Sequence, residues 1–440
     1  MKKVIILGAG LVTRPLVRYL LDHPDFEVEV ASRTVSKAVK LIDNHPQGTA
    51  SELNLKNEEF LKEKISKADL VISMVPYSFH PTVAKYCLEF KKDMVTTSYV
   101  SDEMKNLDGE AKEAGILILN EVGLDPGIDH MEAMRIIHDV EENGGQILGF
   151  TSFCGGLPAP EANTNPFGYK FSWSPIGVLL AGKNSAQYLK NGQEVLIRSE
   201  DLFDNYSLIE IEGLGEFEGY PNRNSLPYIQ LYGIQSTKTM LRGTLRYKGW
   251  CPTMKKIVEL GLLDEEEKDW SELTYKDFMR KLMNEPSEKD ITKALSNHLN
   301  IDEDSDVTKR LEWLGLLRED PLPLTKGSAL DILADRMLAK LQYEEGERDM
   351  IILQHEFVAS LPGDKKEKIT STLIDYGIPH GDTSMSRTVS LPAAISTRLI
   401  LEEKIKKTGV HIPVLPEFYE PTLQELKDVG IVFKEKREEI

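Results

Sequence analysis

Cysteine is scarce in this chain. Three occur in 440 residues, Cys87, Cys154 and Cys251, and no two stand in a CxxC spacing. An odd, scattered set argues against a disulfide framework and predicts a reducing compartment, the cytoplasm. Positive charge is also in deficit, with 53 Lys and Arg against 71 Asp and Glu, a net charge of −18. That balance excludes a broad nucleic-acid or anionic-membrane surface, yet leaves room for a small cationic pocket. Long apolar runs are missing too, so no segment is expected to span a membrane. The opening "MKKVIILGAG" sets two lysines before an apolar run, but glycines and Arg14 interrupt it, so it reads as a first strand rather than a leader. No His, Cys and carboxylate set has metal-ligand spacing, so no metal is expected.

What is present is alternation. "KVIILGAG", "FEVEVASR", "ADLVISMVP", "DMVTTSY" and "ILILNEV" read as buried strands. Between them "TRPLVRYLLDH", "VSKAVKLIDNH", "HPTVAKYCLEF" and "SDEMKNLDGEAKEAG" read as helices, with Pro15 tolerated in a first turn. Strands alternating with helices predict a Rossmann doubly wound parallel sheet over residues 1–124. The rest reads as an α/β substrate-binding domain, residues 125–252 and 346–440, interrupted by a helical insertion at 253–345. "ILGFTSFCGGLPAPE" begins as a strand and runs into a Gly/Pro loop. "EVLIRSED", "YSLIEIEGL", "DMIILQHEFVASL" and "KEKITSTLIDYG" are further strands. "RTVSLPAAISTRLILEEKI" is a helix that packs either on the first domain or on a second subunit.

The chemistry-bearing motifs sit at strand ends. "GAGLVTRP" follows the first strand with Gly8 and Gly10, and has Thr13 where a third Gly or Ala is usual. Such a loop turns tightly and lets a pyrophosphate approach a helix N-terminus. The second strand ends in Ser32, Arg33 and Thr34, where an NAD site offers a carboxylate. An arginine there favours a 2′-phosphate, so NADP(H) is expected, with NAD possible. Val75, Pro76, Ser98 and Tyr99 follow later strands and line the nicotinamide side. For Tyr99 a half-buried loop tyrosine is an equal reading, and His80 starts a helix. "GLDPGIDH", residues 123–130, closes the last strand of the alternating region. Pro126 and Gly127 fix a turn that lets Asp125 approach a ligand, Asp129 N-caps the next helix, and His130 is structural.

Five longer motifs complete the picture: "NEVGLDPGIDHM", "CGGLPAPE", "NPFGYKFSWSPIGVL", "EGYPNRNS" and "LRGTLRYKGW". Together they resemble the saccharopine dehydrogenase family, L-glutamate-forming type, over nearly the whole chain. The resemblance implies reversible interconversion of saccharopine with glutamate and 2-aminoadipate 6-semialdehyde in lysine metabolism, and a homodimer. It places cofactor contacts at Gly10, Leu11, Val12, Thr13, Ser32, Arg33 and Thr34, and an adenine-side pair at Asn54 and Leu55. Many relatives have Asp at position 54. Substrate-side positions are Ser98, Tyr99, Asp125, Arg223, Thr244, Leu245 and Arg246, and Trp173 is a further carry-over on the cofactor side.

The chemistry fits these residues. Saccharopine carries three carboxylates, and a bidentate arginine is the efficient partner for each. Arg223 and Arg246 lie in Gly/Pro-marked segments, where a loop presents them inward. Asp125 suits a substrate ammonium. Groups able to move protons include Asp125, Cys154 and Tyr99, although a cysteine such as Cys154 is more often a small buried hydrophobe, and the substrate's own amines are an alternative carrier. Three other readings stand beside this one: an NAD-linked catabolic relative, a carboxynorspermidine-type condensing enzyme, and a non-catalytic nucleotide sensor.

Overall fold

A computed structural model describes residues 1–285, 290–363 and 365–440. The chain divides into two compact units. The first comprises chiefly Met1–Gln146 and Leu373–Lys434; the second comprises chiefly Ile147–Ser360.

The first unit holds a seven-stranded sheet. Its elements alternate in chain order: β1 (Lys2–Leu7), α1 (Arg14–Leu21), β2 (Phe26–Ser32), α2 (Val35–Ile42), β3 (Gly48–Glu52), α3 (Glu58–Ser66), β4 (Leu70–Ser73), α4 (His80–Phe90), β5 (Asp93–Val95) and β6 (Leu117–Leu119). The spatial order is β3-β2-β1-β4-β5-β6, all parallel, with Gly409–His411 added beside β6. Val4 to Leu7 of β1 are fully buried, as a central parallel strand covered on both faces requires. The strand order reverses between β1 and β4, so their carboxyl ends form the crevice where ligands bind in open α/β sheets. β3 and α3 escape the sequence pattern because "GTASE" is small and polar, with little strand propensity. "SDEMKNLDGEAKEAG" is two short helices, Asp102–Lys105 and Asp108–Ala114, rather than one.

The helix Ser384–Leu401 belongs with this unit and packs on α1, and the helix after it, Pro416–Asp428, packs on Ser384–Leu401 and on Ile128–Glu142. The reason is a line of small buried residues, Ala393, Ala394, Ser396 and Thr397, which allows close approach. Arg398 Nε donates to the Tyr19 hydroxyl at 2.7 Å, and the Tyr19 hydroxyl donates to Glu425. The sequence boundaries at 124 and 346 therefore differ from the compact units: the helix Ile128–Glu142 and residues Leu373–Lys434 lie with the parallel sheet.

The second unit is built on a nine-stranded mixed sheet. Its first strands are β7 (Gln146–Pro158), β8 (Ala186–Lys190), β9 (Gln193–Ile197), β10 (Ser207–Ile211), β11 (Gly215–Pro221) and β12 (Thr239–Arg246). β7 and β12 run parallel side by side, and β11 joins β12 antiparallel. β7 continues through "CGGLP" instead of ending in a Gly/Pro loop, and "LRGTLR" is strand rather than loop. Glycines weaken strand propensity, but here both runs are paired. β8, β11 and β12 were not visible as strands in the sequence pattern. Five helices among the described residues between Trp250 and Lys340 pack around Trp250, Met254, Phe278, Leu295, Leu311 and Leu333, in one core shared with Tyr169, Phe203 and Tyr220.

Candidate active site

The loop after β1 is shaped for a phosphate. Gly8 has φ +120, and a Cβ there would lie 2.7 Å from the Met74 carbonyl oxygen, so only glycine fits. At Gly10 an added Cβ would meet only the Thr13 hydroxyl, at 3.8 Å. Packing inside the protein therefore does not demand that glycine; open approach to its backbone does. Thr13 is buried, and its Oγ1 accepts the Gly10 N–H at 3.0 Å, closing the turn in place of a third glycine. The N–H groups of Leu11 and Val12 find no acceptor among the described residues and stand at the start of α1. Unsatisfied donors at a helix N-terminus are what a pyrophosphate takes up.

At the end of β2, Ser32 is buried and its Oγ accepts the Thr34 N–H at 3.2 Å. Arg33 and Thr34 are exposed, and Arg33 makes no ion pair among the described residues. Lys37, also exposed, follows one helical turn later. Asn54 is exposed just past β3, where its Oδ1 accepts the Lys56 N–H, and Leu55 is half-buried against the core. Val75, buried, and Pro76, exposed, follow β4 at the crevice. These residues fit a dinucleotide with a 2′-phosphate: open glycine backbone, free N–H donors, and a cation where a carboxylate would repel the phosphate.

The loop after β5 meets the turn after β6. Tyr99 Oη donates to Asp125 Oδ1 at 2.9 Å, so two of the expected site residues are in direct contact. Glu121, at φ +59 just past β6, organises both segments. Its N–H donates to the Ser98 carbonyl at 3.1 Å, and its Oε1 accepts the Val100 N–H at 2.9 Å. Its other oxygen lies 2.7 Å from His130 Nε2, and both side chains are buried. His130 thus has the structural place expected of it. Asp129 does not cap the helix Ile128–Glu142; Gly127 holds the N-cap position, and Asp129 Oδ1 accepts the Gly127 N–H at 2.5 Å from inside the first turn. The Asp125–Pro126 peptide is cis. Sequence reasoning missed Glu121, although a carboxylate directly after a buried strand was a signal.

In the second unit the expected residues gather on β7, β11 and β12. Thr244 stands opposite Cys154 of β7 and opposite Tyr220 of β11. Cys154 is half-buried, and Leu245 is fully buried against the core. Burial pushes the Tyr220 hydroxyl up to about 12. Arg246 ends β12 and is 7% exposed. Its guanidinium stacks over Tyr169 and Trp250, with ring centroids at 5.0 and 5.4 Å. One Nη donates to the Leu245 carbonyl at 2.8 Å, while its Nε has no partner. Glu218 is its cross-strand neighbour, but that carboxylate is committed to the Gly249 and Cys251 N–H groups at 2.6 and 2.7 Å. No ion pair to Arg246 occurs among the described residues. A buried cation without a counter-ion costs several kcal/mol unless an anion arrives. Arg223 is exposed after β11 with φ +54, a backbone conformation rare outside glycine. Trp173 is half-buried and packs on Gly177 and the aromatic core beside it. Among the described residues no cluster of His, Cys, Asp and Glu has the form of a metal site, and no helix is long and apolar enough to cross a membrane.

A doubly wound sheet with an open glycine turn at its reversal point is a dinucleotide-binding fold, and the mixed sheet of the second unit carries a buried arginine with no ion pair among the described residues. Residues 4–119 match the saccharopine dehydrogenase NADP binding domain, and residues 123–431 match the saccharopine dehydrogenase C-terminal domain. The chain is 40% identical over 447 residues to the saccharopine dehydrogenase [NADP(+), L-glutamate-forming] of Saccharomyces cerevisiae, covering 99% of each. It is 38% identical to the mitochondrial alpha-aminoadipic semialdehyde synthase of Bos taurus, over 98% of this chain and 47% of that protein. The apo saccharopine dehydrogenase (L-Glu forming) structure from Saccharomyces cerevisiae superposes with a TM-score of 0.91 at 38% identity, covering 100% of both chains. The chain belongs to the saccharopine dehydrogenase family.

Proposed function

We propose that this protein is an NADP-dependent, L-glutamate-forming saccharopine dehydrogenase of lysine metabolism. It interconverts saccharopine, NADP+ and water with L-glutamate, 2-aminoadipate 6-semialdehyde and NADPH. The observation that carries the reading is the likeness to L-glutamate-forming enzymes over 99% of the chain, which takes in both the glycine turn and the arginine-bearing strand. When bound, the nicotinamide cofactor supplies the hydride acceptor or donor.

The chain's own residues supply binding and proton management. In this reading Gly8, Gly10, Leu11, Val12 and Arg33 hold the cofactor. Arg246 takes one substrate carboxylate, which would relieve its missing counter-ion, and Arg223 takes another. Asp125 meets the substrate's ammonium character and receives the proton that must leave before hydride transfer. Tyr99 keeps that carboxylate in one orientation; the 2.9 Å bond between them supports the assignment. Water then adds to the imine carbon, and the adduct collapses to aldehyde and glutamate. We further infer a homodimer in the cytoplasm; three free cysteines support the reducing location.

The test is direct. The protein is incubated with saccharopine and either NADP+ or NAD+, and absorbance of the reduced cofactor is followed. Turnover with saccharopine and NADP+ is expected, and no reduction with either cofactor would overturn the reading.

A further inference from the structure

We propose that His80 is a positioning residue for this reaction, its buried imidazole fixing the hydroxyl of Ser98 toward the substrate. The proposal rests on the reading of Ser98 as a substrate-side group.

His80 is 2% exposed and opens α4. Its ring ties together three positions at the carboxyl edge of the parallel sheet. Nδ1 lies 2.9 Å from Ser73 Oγ, the last residue of β4. Nε2 lies 2.9 Å from Ser98 Oγ and 3.3 Å from Thr96 Oγ1, both just past β5. Every one of these partners is a hydroxyl, so nothing in the set favours a charged ring. Burial alone pulls its pKa from 6.5 down to about 4, which keeps it neutral near pH 7. A neutral imidazole has one donor and one acceptor nitrogen. In either tautomer the Nε2 contact fixes the rotamer of Ser98.

A histidine needing only internal satisfaction would be served by Ser73 and Thr96, both fully buried. The bond to Ser98, which is half-exposed, is surplus to that need. The backbone of Ser98 is already held, its N–H by Thr96 Oγ1 at 3.3 Å and its carbonyl by the Glu121 N–H at 3.1 Å. Rotation about the Cα–Cβ bond is the freedom left, and His80 removes it.

The experiment exploits side-chain geometry. Asparagine reproduces the place of Nδ1, and glutamine the place of Nε2. His80→Asn keeps the contact with Ser73 and loses Ser98; His80→Gln keeps Ser98. With saccharopine varied at saturating NADP+, His80→Asn is expected to lose about 3- to 10-fold in kcat/KM, the worth of one hydrogen bond. His80→Gln is expected to retain most of it, and the KM for NADP+ should be unchanged in both. Ser73→Ala, a small change, unseats the other end of the ring and should also lower kcat/KM. In a Ser98→Ala background these losses should vanish. Losses that persist there, or equal losses in the Asn and Gln variants, would overturn the proposal, as would parental activity in His80→Asn. A parent inactive on saccharopine overturns the functional reading and this proposal with it.

Discussion

Tyr99 and Asp125 are joined by a 2.9 Å hydrogen bond that links the loop after β5 to the turn after β6. A phenol donating to a carboxylate holds it in one orientation. Asp125→Asn keeps the size but removes the charge and the ability to take a proton. It is expected to lower kcat by about 100-fold or more, within the range for a lost acid–base group. Tyr99→Phe removes only the orienting bond and should cost about tenfold or less. Steady-state kinetics from pH 6 to 9, with melting curves for each variant, check the order. A folded Asp125→Asn with parental turnover would make the turn purely structural.

Arg246 carries an opposite signature in stability and in binding. Its guanidinium is buried on two aromatic rings without a counter-ion among the described residues. Replacing it with methionine removes a buried charge that has no counter-ion among the described residues, so the unliganded protein should be no less stable and is expected to gain about 1 kcal/mol or more. Saccharopine affinity should fall at least about tenfold, because a charge-assisted pair is lost. Urea denaturation without ligand and the saccharopine KM are the two readouts. A variant that is strongly destabilised and binds normally would make Arg246 a structural residue.

Arg223 differs because it is exposed. Arg223→Ala should leave stability within about 0.5 kcal/mol, as for most surface changes. Saccharopine KM should still rise about tenfold or more if the side chain takes a carboxylate, while the KM for NADP+ stays put. An unchanged saccharopine KM removes Arg223 from the site.

The parallel sheet was legible because its strands carry apolar runs closed by Gly, Ser or Thr, as at Gly8 after β1, Ser73 in β4 and Thr96 after β5. β3 was not, because it buries few of its side chains at the sheet's edge and needs no apolar sequence. In the second unit β12 was hidden: "TMLRGTLR" places arginines at buried positions, which local pattern assigns to the surface. Arg246 is tolerated there by Tyr169 and Trp250, contacts that only the folded chain supplies. The same limit explains Glu121 and His80. Their roles depend on partners brought from other strands; the position of Glu121 directly after a buried strand marks it as a candidate but names no partner. Asp129 shows the converse error: the residue type was right for a cap, but the helix begins at Ile128, two residues earlier than a cap at Asp129 would place it, so the Asp129 carboxylate folds back to Gly127.

His80 also makes a pH prediction. Its folded pKa is about 4 against an ordinary value of 6.5, because burial disfavours the charged ring. The unfolded chain therefore binds a proton in this window that the folded chain refuses. Stability is fully present above about pH 6.5 and is lost as pH falls toward 4, by up to about 3 kcal/mol for this group. Other groups titrate there too, so the informative quantity is a difference. Denaturation at pH 7, 5.5 and 4.5 should show the parent losing more stability than His80→Gln. Parallel slopes in the two proteins would show that the ring protonates freely in the folded state.

The cofactor preference turns on Arg33. It is exposed at the end of β2, makes no ion pair among the described residues, and stands where an NAD site offers a carboxylate to the ribose hydroxyls. A 2′-phosphate carries nearly two negative charges, and Arg33 with the Thr34 hydroxyl can meet it. Ser32 Oγ accepts the Thr34 N–H and shapes the turn, which leaves its own O–H to donate. Two or three charge-assisted bonds at an exposed site give about 2–4 kcal/mol, roughly 30- to 1000-fold in preference for NADP+. Arg33→Asp should abolish that preference and shift it toward NAD+, because the new carboxylate repels the phosphate and accepts the free ribose hydroxyls. The readout is the ratio of kcat/KM for NADP+ and NAD+ at saturating saccharopine and moderate salt, where exposed charges are screened but not silenced. A parent that prefers NAD+ would mean that Arg33 points to solvent. A parent that prefers NADP+ with an unchanged ratio in Arg33→Asp would move the determinant elsewhere, and Lys37, exposed one turn along α2, is the next residue to replace.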